Sequence, residues 1–200
     1  AITSVAALML NEEGKLSLDD PLSKYFPFLQ AMKVLDKDKL VEVKSEATVA
    51  DLMRHTSGLT YAWSSNKKIS QALKDAGVLF RDKKVVPMVS GMDKVPLLFQ
   101  PGTDWVYGCS TDVLGAVVEV ASGIALDRFF RERIFKPLQM VDTEFYVPAN
   151  KAGRFAANYN YKDGKLTLKD DPKTSQYLEN PAFKSGGGGL CSTASDYMRF

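Results

Sequence analysis

Tyr107-Gly-Cys-Ser-Thr-Asp-Val-Leu-Gly115 places a tyrosine, a side chain able to pass a proton, just ahead of a segment with helical patterning. Val113, Ala116, Val117 and Val120 share one helical face, and Gly123 closes the segment as a C-terminal stop. Two further blocks flank this run: His55-Thr-Ser-Gly-Leu59 precedes it, and Gly186-Gly-Gly-Gly-Leu-Cys-Ser-Thr-Ala-Ser-Asp196 follows it.

In order and spacing the three blocks resemble the serine β-lactamase and penicillin-binding-protein family of the class C type, and within it the carboxylesterases called family VIII. The resemblance covers nearly the whole chain. It implies an α+β fold in which an antiparallel-sheet α/β region faces a mostly helical region, with the active site between them. Residues 1–200 would then be an internal part of one catalytic domain, with the SxxK nucleophile motif immediately upstream of Ala1 and the third motif downstream of Phe200. The first segment agrees: Ile2, Val5, Ala6 and Met9 keep helical spacing up to Gly14, and no capping residue precedes them.

By the same resemblance Tyr107 is the catalytic proton-transfer residue, helping to take the serine proton and returning it to the leaving group. Alone, Tyr107 reads as a ring packed into the fold with its hydroxyl bonded; the flanking blocks turn that reading toward catalysis. Cys109 stands where penicillin-recognising members carry asparagine in Tyr-Ser-Asn or Tyr-Ala-Asn. A thiol donates and accepts weakly where an amide does both well, so Cys109, as a substrate-binding position, favours esters over acylamide-bearing β-lactams. Tyr61 and Trp63 are expected to face the substrate cleft, with core packing as the competing role. The expected activity is a carboxylesterase acting on a small-molecule ester through an acyl-serine, with no cofactor. The alternatives are a β-lactamase or D-alanyl-D-alanine carboxypeptidase and, in another class, a catalytically inactive scaffold that binds a ligand.

Composition narrows the field. With 45% hydrophobic and 25% charged residues the chain can build a core, and a net charge of +2 gives no strong field for nucleic acid. Lys67-Lys68 and the stretch from Arg81 to Lys84 read as solvated faces. No apolar run approaches the roughly 20 residues of a membrane span, and the compartment and oligomeric state stay open. Two cysteines, Cys109 and Cys191, and one histidine make a poor metal set, so free thiols and no metal are expected.

Elsewhere, the valine-rich Met32 to Lys44 stretch around Asp36-Lys-Asp-Lys39 predicts a small hairpin. Thr48 with Asp51 three residues on predicts a capped helix, and helices are expected over Ile69 to Phe80, Val85 to Leu98 and Leu126 to Phe135. Alternation on either side of Asp163-Gly164 predicts a second hairpin, and Ser192 to Asp196 opens a last helix.

Several motifs mislead. Ser64-Ser-Asn-Lys67 and Ser65-Asn-Lys-Lys68 fit SxxK but follow the His55 block, and Lys173-Thr-Ser175 precedes the glycine run; order excludes all three. The chain has no GxSxG elbow, and Ser57 lies too close to His55 in sequence to be its triad partner, so His55 reads as a hydrogen-bonded support. Cys109 has no neighbouring histidine to activate it as a nucleophile. Gly186 to Gly189 lack a following Lys-Ser or Lys-Thr and read as a structural turn near the cleft.

Overall fold

The computed structural model describes residues 1–62, 66–78 and 84–200, with Val85 by its backbone alone. Helix α1 (Ile2–Glu12) buries Ile2, Ala6, Ala7 and Leu10. Gly14 ends it with φ of 69°, a left-handed conformation that glycine adopts without a Cβ clash. Two single helical turns lead to the first hairpin, strands β1 (Lys33–Asp36) and β2 (Lys39–Glu42), paired antiparallel with Val34 opposite Val41. The hairpin sits where its valines predict it, and both loop residues, Lys37 and Asp38, take positive φ.

Helix α2 (Val49–Arg54) begins with the capping box read from sequence: Asp51 N–H donates to the Thr48 hydroxyl, and the Asp51 carboxylate accepts from Thr48 N–H. Helix α3 (Lys67–Asp75) follows, capped by the Asn66 side chain. The stretch expected as one helix over Val85 to Leu98 is three pieces. Helix α4 (Val85–Val89) is short, Gly91 turns left-handed at φ 102°, and Leu97 runs parallel to Val34 at the edge of β1. Pro96 explains the break, because proline holds the preceding Val95 extended and has no N–H to continue a helix.

Helix α5 (Ser110–Ser122) is central. α1, α2, α4 and α6 (Leu126–Phe130) all pack on it. Sequence patterning gave it one apolar face, but residues from Asp112 to Val118 are buried all round while Val120 is 42% exposed. The reason is neighbours on every side over its first turns and solvent only at its end. α6 continues as a π-helical turn, Arg131–Phe135, which carries Phe135 against Phe130. Phe130 in turn stacks on Phe145, with ring centroids 5.8 Å apart.

The second hairpin, β3 (Asn158–Lys162) and β4 (Lys165–Asp170), stands out from this core with every residue but Asp170 exposed. Helix α7 (Ala194–Arg199) starts at Thr193, whose hydroxyl accepts from Asp196 N–H. Cys109 and Cys191 are free thiols, and among the described residues no helix is long and apolar enough to cross a membrane.

Gly108 sets how closely the Tyr107 block approaches the His55 block. A Cβ there would lie 2.2 Å from Leu59 O and 2.5 Å from Thr60 Cα, both backbone atoms. Gly108→Ala in the full-length protein should therefore destabilise by about 1–3 kcal/mol, the range for overpacking. Gly153→Ala, where a Cβ would meet nothing within 4 Å, should change stability by less than about 1 kcal/mol. Urea unfolding of both variants checks this; equal midpoints would remove the steric account.

Candidate active site

Tyr107 lies in the extended stretch just before α5, and its side chain is 56% exposed. Its ring centroid is 5.1 Å from that of His55 and 5.7 Å from that of Tyr61, so two of the three sequence blocks meet at this phenol. The third closes the opposite wall. Tyr61, Tyr107 and Asp112 line a cavity of about 440 Å³ together with Tyr177, Phe183, Ser185 and Gly187 to Gly189. The lining is aromatic and glycyl with few polar groups, the composition of a small-molecule cleft.

The His55 block is held as a turn. His55 itself ends α2 in the left-handed region at φ 58°, and its carbonyl accepts from Val106 N–H at 3.1 Å. Its Nε2 sits 3.4 Å from Thr111 Oγ1, and its ring is edge-on to Trp105. Ser57 is fully buried and bonds Ser110 Oγ at 2.9 Å, so it does not serve His55. Burial holds the His55 pKa below its usual value, and the nearby Asp112 carboxylate opposes that shift.

Cys109 is fully buried, and its thiol donates to the Thr60 carbonyl at 3.3 Å. Burial pushes its pKa well up, with the Asp112 charge adding to the effect. Its side chain supports the segment carrying Tyr61 from beneath and does not line the cavity. Trp63, Ser64 and Ser65 lie outside the described residues, so neither the cleft-facing expectation for Trp63 nor the two misleading SxxK matches has a structural counterpart.

Two features escaped sequence reasoning. Asp112 accepts hydrogen bonds from Ser185 Oγ at 2.5 Å, Gly187 N–H at 3.1 Å and Tyr61 hydroxyl at 3.3 Å. An acid in a first helical turn ordinarily reads as a dipole partner, and nothing local announces partners more than fifty residues away. The second is the neighbourhood of α1: Thr3 Oγ1 donates to Gly186 O at 2.7 Å, and Ala1, Ile2 and Thr3 border the same glycine run. The start of α1 thus abuts the cleft wall. Among the described residues no His, Cys, Asp or Glu cluster is arranged to hold a metal ion.

Another cavity, of about 340 Å³, lies beside β3 and β4, lined by Asp142, Glu144 and Arg154 among others. Among its charges Asp142 is paired with Lys151 and Arg154, Glu144 with Arg131, and Asp170 accepts from the Ser175 hydroxyl at 2.8 Å. Residues of the third block, Leu190 to Thr193, reach it, but Tyr107 does not line it, and the Tyr107 cavity is the better candidate.

Comparison with known proteins follows the same outline. Residues 1–200 match the Beta-lactamase family. Protein Rv1367c of Mycobacterium tuberculosis is 35% identical over 211 residues, covering 100% of this chain and 50% of its own length. Lovastatin esterase of Penicillium rubens is 38% identical over 151 residues, 72% of this chain and 37% of its own. Among solved structures, the simvastatin synthase LovD from Aspergillus terreus superposes with a TM-score of 0.79 at 28% identity, covering 98% of this chain and 50% of that one. The chain spans about half the length of the curated relatives it matches, or less.

The His55 imidazole gives a pH test. Because its folded pKa is depressed, the unfolded chain takes up the proton first, so this group's stabilisation is complete above about pH 6.5 and is lost as pH falls below it. His55→Asn keeps a residue tolerant of the left-handed backbone. The fall in urea midpoint between about pH 7.5 and pH 5 should be smaller in that variant than in the parent. An equal fall in both would mean that His55 does not carry it.

Proposed function

The chain belongs to the Beta-lactamase family, and from that membership we propose that the whole protein is a serine hydrolase cleaving short-chain carboxylic esters through an acyl-serine intermediate. Its α+β fold is that of the family. The observation that carries the proposal is Tyr107, half exposed in an aromatic cavity whose far wall is the glycine run that also borders the start of α1. A serine and lysine from an SxxK motif just ahead of Ala1 would enter beside that wall.

In this reading the serine hydroxyl attacks the ester carbonyl, and its proton leaves through the lysine and Tyr107 pair. Tyr107 then returns a proton to the departing alkoxide, leaving the serine acylated. Backbone N–H groups hold the oxyanion, and water attacks the acyl-serine to release the acid. Tyr61 and Trp63 are proposed to contact the substrate, and no cofactor takes part. The support for esters over β-lactams is the residue type at position 109, a thiol in place of the asparagine amide that the resemblance leads one to expect. A second reading has support from LovD, whose name marks it as a synthase: an alcohol could replace water as acyl acceptor.

In the full-length protein, Tyr107→Phe keeps the ring but removes the hydroxyl, and turnover of a p-nitrophenyl butyrate should fall by about two orders of magnitude with folding kept. The parent should show a higher kcat/KM for that ester than for a cephalosporin. Preference for the cephalosporin would replace the esterase reading with a β-lactamase. Near-parental turnover by a folded Tyr107→Phe protein would return Tyr107 to a packing role. Butyryl transfer to an added alcohol, followed by product analysis, separates hydrolysis from acyl transfer.

A further inference from the structure

Three segments far apart in the chain converge on one buried carboxylate. Asp112, the third residue of α5, is 2% exposed. Its Oδ1 accepts from Ser185 Oγ at 2.5 Å and from Gly187 N–H at 3.1 Å, and its Oδ2 accepts from the Tyr61 hydroxyl at 3.3 Å. The donors lie 51, 73 and 75 positions away in the chain. The approach at Gly187 is tight, since a Cβ there would stand 3.1 Å from Oδ2 and would press the carboxylate to give by a few tenths of an ångström. Among the described residues Asp112 enters no ion pair with lysine or arginine.

A buried charge without a cation is costly to hold. Desolvation raises the Asp112 pKa, and the bonds from Ser185, Gly187 and Tyr61 offset the rise without cancelling it. For stability alone a neutral residue would serve this place as well. What the carboxylate does that a neutral side chain cannot is accept from all three donors at once, because an ionised acid has no hydrogen to place and an amide must donate from one side.

We propose that Asp112 is a positioning residue for the acyl-transfer reaction, its carboxylate fixing the Tyr61 hydroxyl and the glycine wall at Gly187 to the helix that Tyr107 precedes. It acts through its partners. Tyr61 is held with its O–H pointing into the wall, so its ring stays against Tyr107 and its hydroxyl hydrogen is kept from substrate. Ser185 and Gly187 are held so that the glycine run faces Tyr107 across a cleft of fixed width. The inference rests on the role given to Tyr107 above.

The test uses the full-length protein, p-nitrophenyl butyrate, and the variants Asp112→Asn, Ser185→Ala, Tyr61→Phe and Tyr107→Phe. Asp112→Asn keeps the size of the side chain and can still accept from Ser185 and Gly187, but its amide faces the Tyr61 hydroxyl. Because it removes a buried charge, it should melt at or above the parent temperature. Its kcat should nevertheless fall by about 10- to 100-fold, the cost of a misplaced group near the chemistry, with KM changed far less. The loss should not add to that of Tyr61→Phe in the double variant, and amide exchange at Gly187 should quicken. A purely structural residue would lose stability and activity together.

A folded Asp112→Asn protein with kcat within about twofold of the parent overturns the inference, as does full additivity with Tyr61→Phe. If Asp112→Asn does not fold, Ser185→Ala decides, since it removes one donor and leaves the carboxylate: reduced kcat in the folded variant supports the role, and parental kcat overturns it. Tyr107→Phe separates the two levels. Parental turnover there removes the catalytic reading itself, whereas an inactive Tyr107→Phe beside a fully active Asp112→Asn removes only the role of Asp112.

Discussion

Backbone meeting backbone with no side chain between is the constraint on which the cleft depends. The first turn of α5 touches the turn after α2 on one side and the glycine run on the other, and glycines make both contacts. A Cβ on Gly108 would stand 2.2 Å from Leu59 O, and one on Gly186 would stand 2.5 Å from Thr111 O and 3.4 Å from Gly115 Cα. None of Gly108, Gly115 and Gly186 has the positive φ that glycine alone tolerates easily, so space and not dihedral freedom is what they supply. The four-glycine run is the turn near the cleft that the sequence suggested, with its positions used unequally. Gly188 faces open space, while Gly186, Gly187 and Gly189 are each fitted against a neighbour.

That geometry explains which parts of the molecule the sequence could disclose. Caps and tight turns are local, and they were legible: Thr48 and Asp51 are three residues apart, Gly123 ends α5 at φ 69°, and Asp163 and Gly164 carry positive φ in the hairpin loop. Burial around α5 was not legible, because it is decided by which helices arrive from elsewhere. Val120 shared a face with Val113 in the sequence and shares none of its environment in the fold. The stretch after Val85 misled for the opposite reason. Its apolar residues suited a helix, yet Gly91 and Pro96 were local signals strong enough to outweigh them, and Leu97 was taken by the edge of β1.

At the site, residue types were visible and directions were not. Tyr107 and Tyr61 could be named from their blocks, and the structure sets their rings 5.7 Å apart. Cys109 could be named from the same run, but whether its thiol faced the cleft or the core depended on Thr60, whose carbonyl it meets. Ser57 and His55, two residues apart in sequence and suggestive as a pair, turn to different partners, Ser110 and Thr111. Sequence proximity placed them in one block, and the left-handed backbone at His55 sent their side chains apart.

Two aspartates at the same helical position show how one residue type is given two roles. Asp51 and Asp112 are both the third residue of their helices, and both are buried. Asp51 has a threonine at its cap, accepts from Thr48 and Thr56, and lies beside Arg54; burial works to raise its pKa, but these partners together bring it below the ordinary value. It closes its own helix. Asp112 follows Cys109, whose thiol is turned away to Thr60 and offers no capping oxygen, so its carboxylate reaches outward to Tyr61, Ser185 and Gly187. With no lysine or arginine paired to it among the described residues, burial prevails and its pKa is raised. Had position 109 been serine or threonine, the same aspartate could have been spent on a capping box. The cysteine at position 109 thus leaves the carboxylate three residues on to join the walls of the cleft.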